Sequence, residues 1–176
     1  MRSKTRRDLR NAEKRLSIDS DIGIDEFCYF YNANLRANHN LRRSKAYETR
    51  ASLVTLRLYE ACRTHHAGCL LAARDEKGGL RAAIMLVWGH GVMYPQLGTY
   101  DASPGGSHSK KLLVWEAVKM ANQKNLTFDF DGFWRPEAVE MLTGFRGDVH
   151  NRIAVTKISP LLNFAREIKA RSRFGV

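Results

Sequence analysis

The chain has 176 residues, a formal net charge of +11 and a hydrophobic content of 44%. This length fits one domain of ordinary size with a buried core, and this hydrophobic content excludes a wholly disordered chain. The longest apolar run, 82–88, is far too short to span a bilayer.

The charge and the amino-terminal segment bear on partners and compartment. A positive excess of this size favours polyanionic partners, namely tRNA, nucleotide-linked substrates, coenzyme A phosphates or a membrane surface. The alternative is a charged surface that only keeps the chain soluble. The first twenty residues are crowded with Arg and Lys and lack an apolar core, so we expect no secretory signal and a cytoplasmic protein. Three irregularly spaced cysteines predict no disulfide framework.

Three helices are predicted in the amino-terminal part. Basic residues and good helix formers predict the first over 3–15. Its apolar anchors would be Leu9, Ala12 and Leu16. Apolar residues at helical spacing predict a second helix over 24–35 and a third over about 45–63, with a polar loop over 37–43 between them.

Three strands follow, because the apolar period changes. We predict strands over 69–73, 80–88 and 92–100. Glycine-containing turns at 75–79 and 89–91 would join them as a meander.

The remaining elements alternate between helix and strand. We predict a loop over 101–109, a largely buried helix over 110–123 and a strand over 126–131. A short helix from Pro136 to near Gly144 would come next. The last two elements would be a strand over 149–158 and a basic helix over 160–171. This order predicts one α/β domain over 1–176, mainly helical over 1–64, with a mixed β-sheet core over 65–176.

Several short motifs occur in a recognisable order. The predicted strand reads Phe-Asp-Phe-Asp-Gly over 128–132, and Phe-Arg-Gly follows at 145–147. The basic opening over 4–14, the Arg-Ser-Lys-Ala-Tyr run over 43–47 and the Ile-Ser-Pro-Leu-Leu run over 158–162 complete the set. Together they resemble the carboxy-terminal GNAT domain of FemAB-like peptidoglycan aminoacyltransferases.

The resemblance implies a GNAT-like mixed sheet flanked by helices and an N-acyltransferase or aminoacyltransferase activity. The donor would be acyl-CoA or aminoacyl-tRNA, used as a cosubstrate with no tightly bound cofactor. The acceptor would be a small-molecule or nucleotide-linked amine, such as a cell-wall precursor. Family members usually carry two GNAT domains in tandem, and this chain has room for one, so the first would be absent, lost or supplied by another chain, as a homodimer or a second GNAT domain. Leu142 stands near a position where some members have a lysine that stabilises the oxyanion, and Leu142 cannot donate a hydrogen bond.

The loop before the predicted buried helix is a candidate cofactor-binding segment. Glycines let backbone N–H groups approach an anion, and a helix amino terminus attracts one. The helix dipole disfavours the two lysines in the first turn of this helix, and a bound phosphate would offset this repulsion. The candidate residues are Gly105, Gly106, Ser107, His108, Ser109, Lys110 and Lys111. The alternative is a plain capped loop, with Ser107 or Ser109 as the N-cap.

Two aspartates are candidate catalytic residues. Asp129 and Asp131 are two apart on the predicted strand, so both would point to one face, where one could act as a general base. The alternative is that Asp131 ends the strand in a turn and Asp129 pairs with an arginine. No motif for a Ser or Cys nucleophile is present, which favours direct attack by a bound amine.

Four further residues are candidate substrate ligands. Trp134 and Arg135 follow the predicted strand, at the sheet edge where α/β proteins bind ligands. Arg43 and Tyr47 fall in the family-like run and would contact an acceptor phosphate. For each pair, the alternative is an ordinary exposed loop or helix start. The run from Cys62 to Cys69 contains two histidines, but it has no second set of ligands, so we expect no metal site.

Two other functions remain open. The chain could be a GNAT shell that has lost catalysis and binds tRNA or a nucleotide-linked precursor, or a half-protein that needs a partner domain.

Overall fold

The computed structural model describes residues 1–39, 45–101, 106–131, 139 and 142–150. The helices in these ranges are α1 (Ser3–Glu13), α2 (Ile24–His39), α3 (Lys45–Thr64) and α4 (Gly106–Gln123). The strands are β1 (Leu16–Asp19), β2 (Gly68–Asp75), β3 (Leu80–Gly89), β4 (Val92–Tyr100) and β5 (Thr127–Phe128). No helix in the described part of the chain is long and apolar enough to cross a membrane.

The strands form one mixed sheet in chain order. β1 to β4 pair antiparallel with their sequence neighbours, and β5 pairs with β4 in parallel. The predicted turn over 75–79 joins β2 to β3, and its Gly78 has a φ of 79° that favours glycine. The predicted mixed sheet is therefore confirmed.

Helices cover both faces of the sheet, and the strand period of two explains how. In β3, Ala82, Ile84 and Leu86 face the side that α4 covers, where they meet its Leu113 and Ala117. The alternate residues of β3 face α2 and α3 on the other side. A stretch buried on both faces must be apolar, and β3 is apolar from Ala82 to Val87, where the helices cover it.

Helix α1 packs against α4 and also contacts β1. Leu9 and Ala12 of α1 are buried against Leu112 of α4. This contact uses the apolar stripe that the sequence shows on α1.

Most predicted helices and strands are confirmed within a few residues, but four boundaries are wrong. Leu16 does not extend the first helix; it begins β1 and pairs with Asp75. The predicted loop over 37–43 is helical as far as His39, since α2 continues that far. Helix α4 begins at Gly106, four residues before the predicted start.

The strand predicted over 126–131 is also shorter, because β5 ends at Phe128. Beyond it, the N–H of Asp131 donates a 2.8 Å hydrogen bond to Oδ1 of Asp129, and Asp131 has a φ of 64°. This local turn replaces the strand geometry. Of the predicted strand over 149–158, the structure describes only 149–150, which are not in a strand. The predicted helix over 160–171 lies outside the described residues.

Candidate functional site

Strands β4 and β5 part from each other soon after they pair. The parallel pairing joins Val92 to Thr127 and Met93 to Phe128, and the N–H of Asp129 then donates to the carbonyl of Met93 at 2.9 Å. β4 continues for seven more residues, to Tyr100, about 20 Å of strand. Within the described ranges that stretch has no partner on the β5 side. We call the region beside this stretch of β4, toward the carboxyl ends of two parallel strands, the cleft; α/β sheets bind ligands in such positions.

A bulge interrupts β4 beside this cleft. Leu97 pairs with Met85 and Pro95 pairs with Leu86, so Gln96 has no partner in the ladder. Pro95 lacks an N–H and is therefore suited to a bulge or an edge. Bulges re-aim neighbouring groups and are frequent next to active sites.

The first turn of α4 lies just beyond the end of β4, across the far end of the cleft. A Cβ on Gly106 would overlap the carbonyl oxygen of Asp101, so only glycine fits this close approach. Asp101 is held in turn by an ion pair with Arg81 at 2.8 Å. The first backbone N–H groups of a helix have no intrahelical partner and sit at the positive end of its dipole. The first turn of α4 itself contains no acidic residue, while the Asp101 carboxylate lies beside Gly106. Negative groups are favoured at such a terminus.

The two predicted phosphate-binding lysines lie on the second turn of α4, not on the first. Lys110 places its Nζ 5.7 Å from the centroid of the Tyr100 ring, close to the end of β4. Lys111 points to α1, where its Nζ is 2.7 Å from Oδ2 of Asp8. Phosphate binding by Lys111 stays a prediction, and its observed contact holds two helices together.

The other residues of this predicted segment differ in exposure. His108 is exposed, and its Nε2 is 4.0 Å from Oδ2 of Asp8. Ser109 is buried, so its side chain belongs to the core. Ser107 lies in α4 with its side chain outside the described set, and Gly105 lies outside it altogether.

Asp8 is the electrostatic centre of the contact between α1 and α4. Burial alone would raise the pKa of its carboxyl. The hydrogen bond from Lys111 and the charges of Lys111, His108 and Arg7 outweigh burial and hold this pKa below its ordinary value of 3.8. Sequence reasoning missed this role, because no local signal connects residues 103 positions apart.

The two predicted catalytic aspartates do not stand side by side on a strand face. Asp129 follows the last residue of β5, at the vertex of the cleft, and is partly buried. Asp131 is exposed, and its backbone N–H is bound by the carboxylate of Asp129. The geometry therefore separates the pair and leaves Asp129 as the member at the vertex.

An aromatic row connects β5 to α4. Phe130 contacts Phe128 edge-on at 5.0 Å and stacks on Phe145 at 5.8 Å, and Phe145 stacks on Trp115 of α4 at 6.3 Å. A Cβ on Gly147 would lie 3.2 Å from the Phe130 ring. The Phe-Arg-Gly motif that carried part of the family resemblance thus serves packing around the site.

The side chains of the predicted substrate ligands lie outside the part of the chain that the structure describes. Arg43, Trp134 and Arg135 are outside it, and Tyr47 lies in α3 with its side chain outside it. In the described part of the chain, no group of three or more His, Cys, Asp or Glu residues could hold a metal ion. Leu142 is buried and contributes to the core.

The fold is similar to those of solved acetyltransferases. A putative acetyl transferase from Pyrococcus furiosus gives a TM-score of 0.57 at 13% identity, over 81% of this chain and 99% of that chain. The aminoglycoside antibiotic 6'-N-acetyltransferase AAC(6')-Ih from Acinetobacter baumannii gives 0.54 at 14%, over 82% and 98%. These similarities show the fold alone, and they confirm the predicted GNAT fold.

FemX gives a TM-score of 0.59 at 11% identity, over 75% of this chain and 48% of the FemX chain. The part of FemX that this chain matches is therefore about half of that protein. Other GNAT acetyltransferases are similarly close, so membership of the FemAB-like branch stays a proposal.

Curated protein sequences contain no match to this chain. A family model does match: that of the acetyltransferase (GNAT) domain, over residues 1–133 of the 176. The chain therefore belongs to the GNAT acetyltransferase domain family and is an acyltransferase.

Proposed function

We propose that the chain transfers an acyl group from acyl-CoA to an amine in the cleft between β4 and β5. The observation that carries this proposal is the shape of that cleft. It has an anion-binding helix terminus at one end and a carboxylate, Asp129, at its vertex, separated by about 20 Å along β4. A donor with phosphates at one end, a reactive thioester at the other and an extended arm between them suits this arrangement.

The first turn of α4 would bind the coenzyme pyrophosphate. Backbone N–H groups over 105–109 would donate hydrogen bonds to it, with no Cβ on Gly106. Lys110, close to the end of β4, would add a charge on the cleft side. Lys111 would act indirectly, because its ion pair with Asp8 holds α1 against α4.

The reaction would proceed by direct attack of the amine on the thioester carbonyl. The amine must lose a proton, and Asp129 is our candidate for the base because it lies where the strands part. The oxyanion needs hydrogen-bond donors, which the unpaired edge of β4 offers as backbone N–H groups. Leu142 contributes none. The coenzyme thiol leaves with a proton, and the acceptor would be held by Arg43, Tyr47, Trp134 and Arg135.

Thermal unfolding with and without coenzyme A tests the donor. A ligand present at about 100 times its dissociation constant stabilises a protein by about 2.7 kcal/mol, which gives a clear rise in Tm. We expect this rise for the wild type and a smaller one for Lys110→Ala. Lys119→Ala is the matched control, since Lys119 lies on the same helix and pairs with Glu116. Equal losses in both variants, or no rise with coenzyme A, would contradict the proposal.

Aminoacyl transfer of the FemAB type is the second candidate. It is favoured by the match to FemX over about half of that chain. It predicts no stabilisation by coenzyme A, stabilisation by a nucleotide-linked cell-wall precursor, and binding of tRNA. A chain that responds to none of these ligands would instead be a GNAT shell or a half-protein, and a dimer in solution would favour the latter.

A further inference from the structure

The outer face of α1 is a dense cationic surface that the acyl-transfer cleft does not use. Helix α1 turns its buried residues toward α4 and the sheet; they are Thr5, Asp8, Leu9 and Ala12. The opposite side carries exposed basic residues, namely Arg6, Arg7, Arg10 and Lys14. We call these four residues the α1 basic face.

The α1 basic face is open to solvent. It lines a recess of about 560 Å³ together with Ser3, Asn11 and Glu13. Arg7, Arg10 and Lys14 follow each other at i, i+3 and i+7, so they form one stripe along about 10 Å of helix. Glu13 is the one carboxylate among the residues lining the recess, so the recess keeps a strong positive excess.

The four charged side chains of this face are not used in ion pairs within the described fold. Within the described part of the chain, their side chains make no ion pair or hydrogen bond. The nearby carboxylate of Asp8 is buried on the side of α1 that packs on α4, where Lys111 binds it. Arginine guanidinium groups bind phosphate oxygens through two parallel hydrogen bonds, which suits a run of phosphates better than a single carboxylate.

We propose that the α1 basic face binds the phosphodiester backbone of a nucleic-acid strand. Three cations in line match a linear array of phosphates, whereas one free phosphate would engage only part of the stripe. A membrane surface fits less well, because helices that bind membranes insert apolar side chains. Of α1, whose residues are all described, no large apolar side chain is exposed. Contacts of this kind are independent of base sequence.

Binding of a fluorescent single-stranded RNA of about 20 nucleotides, measured by anisotropy, tests this surface. The test variant is Arg7→Gln/Arg10→Gln/Lys14→Gln. The matched control is Arg50→Gln/Arg57→Gln/Arg63→Gln, which removes the same charge from exposed positions on α3. Each protein is titrated between about 50 and 200 mM salt. For binding to a phosphate backbone, the logarithm of the binding constant falls linearly with the logarithm of the salt concentration.

We expect the wild type to bind and the α1 variant to lose at least tenfold in affinity at low salt. Each phosphate contact on a single strand contributes about 0.7 to the slope of log K against log salt, so three contacts contribute about 2. The α1 variant should lose this much slope, and the α3 control should keep it. Unchanged Tm values in both variants show that the fold is intact.

Other outcomes would overturn the proposal. An equal loss in the α3 control would show that only the net charge of +11 matters. Complete displacement of the RNA by coenzyme A would assign the surface to the coenzyme site. If the wild type binds vesicles of anionic phospholipid but not RNA, and the α1 variant loses this vesicle binding, the surface would be assigned to a membrane. The acyl-transfer proposal survives each of these results, because its test measures coenzyme A and Lys110.

Discussion

Lys111 on α4 lies 2.7 Å from Asp8 on α1, and both side chains are almost withdrawn from solvent, at 15% and 9% exposure. This ion pair connects the second turn of α4 to the helix that opens the chain. It fixes the position of the α4 amino terminus, where we place the coenzyme pyrophosphate. The pair therefore influences the site without touching the cleft.

Replacing Lys111 alone should destabilise the fold more than replacing Lys111 and Asp8 together. In Lys111→Met the Asp8 carboxylate stays buried without its partner, and the free energy of unfolding should fall by about 1–3 kcal/mol. The double variant Asp8→Asn/Lys111→Met should recover part of this loss, because both charges are then absent. Urea unfolding measures each value. Lys119→Met is the control, since its pair with Glu116 is more exposed and should matter by less than about 1 kcal/mol. A simple sum of the two single effects would contradict the coupling.

The same pair should make stability fall in acid. The folded-state pKa of Asp8 is below its ordinary value of 3.8. A depressed pKa stabilises the fold fully above the unfolded-state value, and this contribution is lost as pH falls through the lower folded-state value. Asp8→Asn should therefore lose less stability than the wild type between pH 5 and about pH 2. Parallel curves of unfolding free energy against pH would show that the pair is not the cause.

Gly106→Ala should displace the start of α4. The new Cβ would overlap the Asp101 carbonyl oxygen, and backbone must move to relieve it. Overpacking of this kind costs about 1–3 kcal/mol and should weaken coenzyme A binding. Gly23→Ala is the matched control: Gly23 stands directly before α2, and its new Cβ would meet no atom within 4 Å among the described neighbours. Equal Tm values for the two variants would mean that the close approach to Asp101 does not require glycine at position 106.

Arg74→Lys should weaken the link between β1, β2 and α2. Arg74 donates to Asp19 at 2.7 Å and to both oxygens of Glu26, and these hydrogen bonds hold the pKa of both carboxyls below their ordinary values. A lysine cannot make the forked contact, so we expect a loss of about 1 kcal/mol, limited by solvent around Glu26. Arg81→Lys keeps a single contact to Asp101 and should change stability less. Denaturant midpoints of the two variants provide the comparison.

Asp129→Asn should lower kcat by about 10²–10⁴ while the KM for the acyl donor stays the same. Asparagine keeps an oxygen that can accept the hydrogen bond from the Asp131 N–H, so the local turn survives. Asp131→Asn is the control and should retain activity, since this side chain is exposed. Steady-state rates of thiol release report both. If Asp129→Asn keeps its activity, the base is another group.

The regular elements were predictable where the apolar period was long. The runs over 80–88 and 92–100 predicted β3 and β4 almost to the residue, since β3 is buried over its central part and the glycine-containing turn at 89–91 separates the two strands. β1 was not predictable, because its four residues follow α1 directly and show too little alternation. The pattern of three helices, a meander and a later strand was enough to indicate a mixed α/β sheet, whereas the GNAT fold was implied by the resemblance of the short motifs to a known family.

The site was less predictable than the fold, because its features depend on tertiary contacts. The start of α4 depends on how closely Gly106 approaches Asp101, which no local propensity expresses. Lys111 looked free in sequence, and its partner lies on another helix. Asp129 and Asp131 looked like a strand pair until the backbone turned between them.

The shortness of β5 has a consequence for the motions of the chain. Its ladder with β4 contains the bonds from the Thr127 and Asp129 N–H groups to Gly91 and Met93, while β2 and β3 pair over seven residues on each strand. Among the hydrogen-bonded amides of the described strands, these two should therefore exchange fastest, because a strand so lightly held opens without unfolding the meander. The aromatic row through Phe130 and Phe145 opposes this opening, as does the packing of Phe128 against the core. Local release of β5 would widen the vertex of the cleft and give a bulky product a way out.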